Sequence, residues 1–134
     1  MTSSLRYAYS LLIYLLVLPV CGYFFWRSRK EPGYRQRLHQ RFALQRVPQT
    51  AIGGIVVHAV SVGEVVAATP LIKMLQQRYP QLQLTISCTT PTAVERIEKT
   101  FGNSVYQCYL PLDTPGSVKR WLNKLQWQAN ALTI

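Results

Sequence analysis

The most restrictive feature of the sequence is an uncharged apolar stretch near its start. Between Tyr7 and Trp26 twenty residues contain no Asp, Glu, Lys or Arg, and as a helix they cover about 30 Å, the thickness of the hydrocarbon core of a bilayer. Pro19 and Gly22 are unfavourable inside a water-soluble helix but are tolerated in a transmembrane one. The stretch predicts a single N-terminal membrane anchor over residues 1–26. A helix lying in the membrane interface is the alternative.

A strongly basic segment follows this stretch directly. Its seven bases are Arg27, Arg29, Lys30, Arg35, Arg37, Arg41 and Arg46, and its single acid is Glu31. Only Arg6 precedes the apolar stretch, so the positive-inside rule predicts that the rest of the chain faces the cytoplasm. We interpret residues 27–49 as a juxtamembrane segment.

The position of this segment favours anionic lipid as its ligand. The expected headgroup contacts are Arg27, Arg29 and Lys30, and a solvated helix face without a ligand is the alternative. Nucleic acid is not expected as a partner, because the bases abut the membrane and do not interleave with exposed aromatic residues.

From residue 50 onward, short β-branched runs alternate with helical patterns. The predicted strands are 55–60, 82–88 and 105–110, with 131–134 as the start of a fourth. The predicted helices run to Tyr79, over 92–101, and onward from Asp113-Thr114-Pro115. In the first of these helices, Pro70 lies either in the first turn after a Thr69 cap or at a kink. This order predicts an α/β fold, a Rossmann-like domain over residues 50–134 with a parallel sheet and right-handed crossovers.

Two loops of this predicted sheet lie where ligands bind, outside the carboxyl ends of the strands. The loop 61–64 offers a hydroxyl, a glycine and the Glu64 carboxylate, which can accept a proton from a bound hydroxyl. The alternative is that Glu64 only stabilises the start of a helix. The loop 89–92 offers three hydroxyls and free helix N–H groups, which suit a phosphate or a sugar hydroxyl. Simple capping by Thr90 before Pro91 already explains that loop and is the slightly favoured interpretation.

Several other kinds of site are not indicated. The cysteines Cys21, Cys88 and Cys108 form no CxxC pair, so we expect neither a zinc site nor a disulfide framework. His58 lies in a strand run and is expected to be a hydrogen-bonded core histidine. The sequence also lacks the glycine-rich dinucleotide and P-loop signatures and the hydrolase nucleophile elbow.

The run G-G-I-V-V-H-A-V-S-V-G-E, from Gly53 to Glu64, resembles the opening strand and loop of the 3-deoxy-D-manno-octulosonic acid (Kdo) transferases, whose signature reads H-x-V-S-V-G-E. Other family motifs follow in order along the chain: Tyr34-Arg35-x-Arg37, Ala67-Ala68-Thr69-Pro70-Leu71, Arg78-Tyr79-Pro80, Thr89-Thr90-Pro91-Thr92 with Glu95-Arg96, and Tyr109-Leu110-Pro111-Leu112-Asp113. The resemblance covers essentially the whole chain. One departure is Ala93, which stands where many members have glycine.

The resemblance implies a GT-B glycosyltransferase of lipopolysaccharide biosynthesis, at the cytoplasmic face of the bacterial inner membrane. Such enzymes transfer Kdo from CMP-Kdo to a lipid A precursor and invert the anomeric centre, without a metal or other cofactor. The resemblance implies that Glu64 is the general base and that the N-terminal domain mainly holds the acceptor. The expected acceptor contacts are Ser61, Gly63, Thr90 and Thr92.

Family members are considerably longer than this chain, as expected for two domains. The chain is therefore expected to be the truncated N-terminal half of a GT-B fold, without the C-terminal donor-binding domain, and to be inactive alone. A hypothesis of a different class is a non-catalytic, membrane-tethered module that binds anionic lipid through the basic segment. Salt-dependent binding that Glu64→Gln leaves unchanged would support that hypothesis.

Overall fold

The computed structural model describes residues 3–34, 36–125 and 132–133. In these residues a long N-terminal helix and an irregular segment precede an α/β unit. The helices are α1 (Ser3–Arg27), α2 (Val62–Arg78), α3 (Pro91–Phe101) and α4 (Pro115–Leu125), and the strands are β1 (Ile55–His58), β2 (Leu84–Cys88), β3 (Val105–Tyr109) and β4 (Leu132–Thr133). Short 3-10 turns cover Pro32–Tyr34, Leu38–Phe42, Gln49–Ala51 and Gly102–Ser104.

Helix α1 is the predicted anchor. Within the described residues it is the one helix long and apolar enough to cross a membrane, judged by length and composition. Its Tyr9 hydroxyl donates a hydrogen bond to the Asp113 carboxylate, so α1 lies alongside the α/β unit. This contact favours the interfacial alternative, because a helix that carried Tyr9 across the bilayer would separate it from Asp113.

The strands form one parallel sheet in the order β3-β2-β1-β4. Ile55 is paired with Leu84, and Leu84 in turn with Val105. The predicted fourth strand is confirmed at residues 132–133, which pair with the end of β1; residues 131 and 134 lie outside the described residues. From β1 the chain adds β2 and then β3 on one side, and β4 is then placed on the other side of β1. The strand order therefore reverses beside β1.

Helices cover both faces of the sheet. On one face the main apolar cluster joins alternate strand residues to α2 and α3; its members include Ile55, Val57, Leu84, Ile86, Val65, Ile72 and Ile97. On the other face, Trp121 of α4 lies close to Cys108, which is fully buried there. The alternation in 82–88 correctly predicts a strand, but the polar Thr85 and Ser87 are fully buried. The reason is that β2 lies inside the sheet, with both faces covered.

Helix α2 begins earlier than the sequence suggests. The expected loop 61–64 is wrong beyond Ser61, because Val62 already starts the helix and Pro70 lies inside it. Thr69 is no cap, since its hydroxyl donates to the Val65 carbonyl at 2.7 Å. The helix continues through Pro70 because its buried face, formed by Val65, Ala68, Ile72 and Leu75, extends over both halves.

Part of the basic segment packs onto the sheet edge at β3. The Tyr109 N–H donates to Gln40 Oε1 at 3.1 Å, and the Leu112 N–H donates to the Arg41 carbonyl at 2.7 Å. Arg41 itself is only 4% exposed. For Arg41, therefore, both interpretations of the basic segment are wrong: this side chain is neither on a solvated face nor exposed to lipid headgroups. Arg37 also contacts the α/β unit, through an ion pair with Glu98 at 3.1 Å.

Candidate functional site

The two loops that the sequence places at the carboxyl edge of the sheet are in direct contact. The Val60 carbonyl accepts hydrogen bonds from the Thr89 N–H at 3.2 Å and from the Thr89 hydroxyl at 3.0 Å. Val60 follows β1 and Thr89 follows β2, which are adjacent parallel strands. The site therefore lies beside the point where the strand order reverses, the usual ligand position in open α/β sheets.

Glu64 is the central side chain of this edge. Its Oε2 accepts from the Val60 N–H at 2.8 Å, and its Oε1 accepts from the Ser61 hydroxyl at 3.3 Å. These bonds support the capping interpretation, since they tie the first turn of α2 to the residues before it. The carboxylate is nevertheless exposed, and each oxygen has a second lone pair. Glu64 can therefore stabilise the helix start and still accept a proton from a ligand hydroxyl.

Open space surrounds Gly63 in the first turn of α2. A Cβ added there would meet only the Ser61 hydroxyl, at 3.9 Å. The glycine therefore leaves the backbone before Glu64 accessible to a substrate, and no packing constraint of the fold requires it.

The hydroxyls of the second loop serve the start of α3. Thr90 Oγ1 accepts from the Ala93 N–H at 3.3 Å and from the Thr92 hydroxyl at 3.3 Å. The predicted Thr90 cap is thus confirmed. Thr92 is exposed and Thr90 is half-buried, so both hydroxyls remain within reach of solvent. Their role in acceptor binding stays a prediction.

The histidine and the buried cysteines do not take part in this arrangement. His58 Nδ1 lies 3.0 Å from the Ser87 hydroxyl and 3.2 Å from its carbonyl, which confirms the expected hydrogen-bonded histidine. Burial raises the pKa of Cys88 to about 11 and that of Cys108 to about 12. Both thiols are therefore protonated and unreactive near neutral pH.

The predicted headgroup contacts lie at the carboxyl end of α1. Arg27 forms an ion pair with Glu31 at 3.0 Å, and the Lys30 ammonium lies 5.9 Å from the centre of the Trp26 ring. Arg29 is exposed. These positions suit a membrane surface, and the headgroup contacts stay predictions.

One residue that the sequence did not single out is placed at the centre of this region. The Arg41 guanidinium lies 4.4 Å from the ring centres of both Phe24 and Tyr109. It donates to the Thr89 carbonyl at 2.8 Å. No local pattern distinguishes this arginine from its basic neighbours, because its partners are distant in sequence.

Metal ligands do not gather in the described parts of the chain. Among these residues there is no group of three or more His, Cys, Asp or Glu side chains that could hold an ion. The expectation that no metal takes part stays a prediction.

Comparison with known proteins decides the family. The family model described as 3-deoxy-D-manno-octulosonic-acid transferase (kdotransferase) matches residues 36–133. The chain belongs to the Kdo transferase family. The match covers the packed basic segment and the whole α/β unit, and it confirms the resemblance seen in the motifs.

Relatives in the family are similar over part of their length. The chain is 50% identical over 104 residues to the 3-deoxy-D-manno-octulosonic acid transferase of Haemophilus influenzae, covering 74% of this chain and 23% of that protein. It is 33% identical over 123 residues to the Bordetella pertussis transferase, covering 82% and 28%.

A plant relative, the probable mitochondrial 3-deoxy-D-manno-octulosonic acid transferase of Arabidopsis thaliana, is 30% identical over 131 residues, covering 98% of this chain and 27% of that protein. The chain thus spans about a quarter of the length of these relatives. No solved structure matches it significantly.

Proposed function

We propose that this chain is the acceptor-binding part of an inverting glycosyltransferase that transfers Kdo from CMP-Kdo to a lipid A precursor. Family membership supports the reaction class. The observation that carries the assignment of the site is the exposed Glu64 carboxylate, held by the Val60 N–H at the carboxyl edge of the sheet.

In the proposed reaction an acceptor hydroxyl attacks the anomeric carbon of Kdo. The new carbon–oxygen bond forms as the bond from that carbon to the phosphate oxygen of CMP breaks, and CMP leaves with the bonding electrons. Attack opposite the leaving group inverts the anomeric centre. The hydroxyl proton passes to Glu64, which must lie within about 3 Å of the attacking oxygen.

The surroundings of Glu64 suit the acceptor side of such a cleft. Ser61 and Gly63 border the carboxylate, and Thr90 and Thr92 are the nearby polar groups that we assign to acceptor hydroxyls or phosphates. The strand order supports a Rossmann-like domain. The donor nucleotide would bind to a second domain facing this edge, as in a GT-B enzyme.

Helix α1 and the bases at its end would hold the site at the cytoplasmic face of the bacterial inner membrane. We assign Arg27, Arg29 and Lys30 to anionic headgroups, where each base near the surface contributes about 1 kcal/mol. The same charges would attract a phosphorylated lipid acceptor in that leaflet.

A transfer assay tests the proposal. The full-length protein, supplied with CMP-Kdo and a lipid A precursor, should release CMP and add Kdo to the lipid, as seen by mass spectrometry. Residues 1–134 alone should give no product, because the donor site is assigned elsewhere. If the full-length protein transfers nothing but binds anionic vesicles in a salt-dependent way, the membrane-tethered module is the better description.

A further inference from the structure

A continuous series of hydrogen bonds joins Arg41 to the candidate base. The guanidinium donates to the Thr89 carbonyl at 2.8 Å. The N–H and hydroxyl of Thr89 donate to the Val60 carbonyl at 3.2 and 3.0 Å. The Val60 N–H donates to Glu64 Oε2 at 2.8 Å. Each step passes through one residue of the site, so the series is unbroken from Arg41 to the carboxylate.

The other end of this series is fixed by two aromatic rings. The Arg41 guanidinium lies 4.4 Å from the ring centres of both Phe24 of α1 and Tyr109 of β3. It is only 4% exposed, and its own carbonyl accepts from the Leu112 N–H. A planar guanidinium can stack on both rings and donate in its plane at once, which a lysine ammonium cannot do.

We infer that Arg41 is a positioning residue for the transfer reaction, which sets the Glu64 carboxylate through Thr89 and Val60 and ties it to the end of the anchor helix. This inference rests on the proposed function of Glu64. Arg41 touches no reacting atom in it. Because Phe24 contacts the Arg41 guanidinium, a displacement of the carboxyl end of α1 would also shift the Glu64 carboxylate.

The direct test is Arg41→Lys, which keeps the charge but loses the stacking plane. In residues 1–134 in detergent micelles, amide hydrogen exchange of Val60 should accelerate by about tenfold, the effect of losing one charge-assisted hydrogen bond. The Ile86 amide inside β2 should be unaffected, which separates a local change from general unfolding. In the full-length enzyme kcat should fall by about ten- to a hundredfold, with a smaller change in the acceptor KM.

Arg120→Lys is the matched control. Arg120 also donates to a main-chain carbonyl of the same segment, that of Phe42 at 3.0 Å, but it has no link to Thr89 in the described residues. It should leave both Val60 exchange and kcat near the parent values. Phe24→Leu removes one ring and keeps every hydrogen bond of the series, so Val60 exchange should rise by only about two- to fivefold.

The outcomes separate this inference from the proposed function. Unchanged Val60 exchange in Arg41→Lys, or a loss of kcat no larger than in Arg120→Lys, would overturn the positioning role. Should Arg41→Lys fail to fold, unchanged exchange in Phe24→Leu would overturn it equally. If Val60 exchange rises as expected but Glu64→Gln keeps full kcat, the hydrogen-bonded series stands and the assignment of Glu64 as base fails.

Discussion

Replacing Glu64 by glutamine separates its two roles. The amide oxygen of glutamine can still accept from the Val60 N–H, now 2.8 Å from Oε2, and the amide nitrogen can donate to the Ser61 hydroxyl. Both hydrogen bonds of the helix start are therefore retained, without their charge. Because the site is exposed, we expect a cost below about 1 kcal/mol in stability. What glutamine cannot do is accept the proton of the acceptor hydroxyl.

The expected loss of rate is much larger than this structural cost. A positioned general base contributes about 10²- to 10⁴-fold, or about 3–5 kcal/mol of the activation barrier. Glu64→Gln should lower kcat of the full-length enzyme by this factor and change the acceptor KM by less than about tenfold. Glu64→Ala should show the same kcat and also lose the cap, with a Tm lower by about 2–4 °C at most in the larger full-length protein.

The assay compares initial rates of Kdo transfer with thermal unfolding of the same preparations. Glu95→Gln, an exposed carboxylate on α3, is the control and should retain kcat. Near-normal kcat in Glu64→Gln, with fold and membrane attachment intact, would refute the reasoning. Glu64 would then be a capping residue, and the base would have to lie elsewhere in the full-length protein.

Three further predictions concern packing, ionisation and topology. Gly54→Ala should destabilise the protein by about 3 kcal/mol or more in urea unfolding, because the new Cβ would lie 2.1 Å from the Gln83 carbonyl oxygen; a cost below about 1 kcal/mol would contradict this. Cys88 and Cys108 should resist alkylation at pH 8 until the protein unfolds. In the folded protein their pKa values are about 11 and about 12, above the ordinary 9.0. The contribution of the two thiols to stability is therefore complete below pH 9 and is lost as pH rises through 11–12. Equal stability at pH 8 and pH 11 would argue against this. Protease added to sealed inside-out inner-membrane vesicles should digest the α/β unit, and full protection would reverse the predicted orientation.

Most of the α/β unit could be predicted from the sequence, because strand patterns and helix caps depend on residues that are neighbours in the chain. The β-branched and alternating runs identify β1, β2 and β3, and the Thr90-Pro91 pair identifies the start of α3 to within a residue. Glu64 could be found because topology alone places it at the carboxyl edge of the sheet. The resemblance then supplied a role for it that physical chemistry left open between a base and a cap.

The missed features depend on contacts between distant residues. Arg41 is one of seven bases in a run, and the sequence does not distinguish it from the other six. In the folded chain it differs from them by its contacts with Phe24, Thr89 and Tyr109. The burial of Ser87 likewise depends on the folded chain, in which β2 lies between β1 and β3 and the ring of His58 contacts the Ser87 hydroxyl. The early start of α2 also depends on packing. The helix continues through Pro70 because its residues before and after that proline are buried against the rest of the protein.

The placement of α1 brings the candidate membrane helix close to the site. Its Tyr9 contacts Asp113, just after β3, and its Phe24 contacts Arg41 at the ends of β2 and β3. Tyr9 and Phe24 are fifteen residues apart, or about 22 Å along a helix. Both contacts lie beyond the carboxyl ends of strands, so α1 lies on the same side of the sheet as Glu64. Under the proposed function, with α1 at the membrane surface, the acyl chains of a lipid acceptor would stay in the bilayer while its sugar reaches the carboxylate.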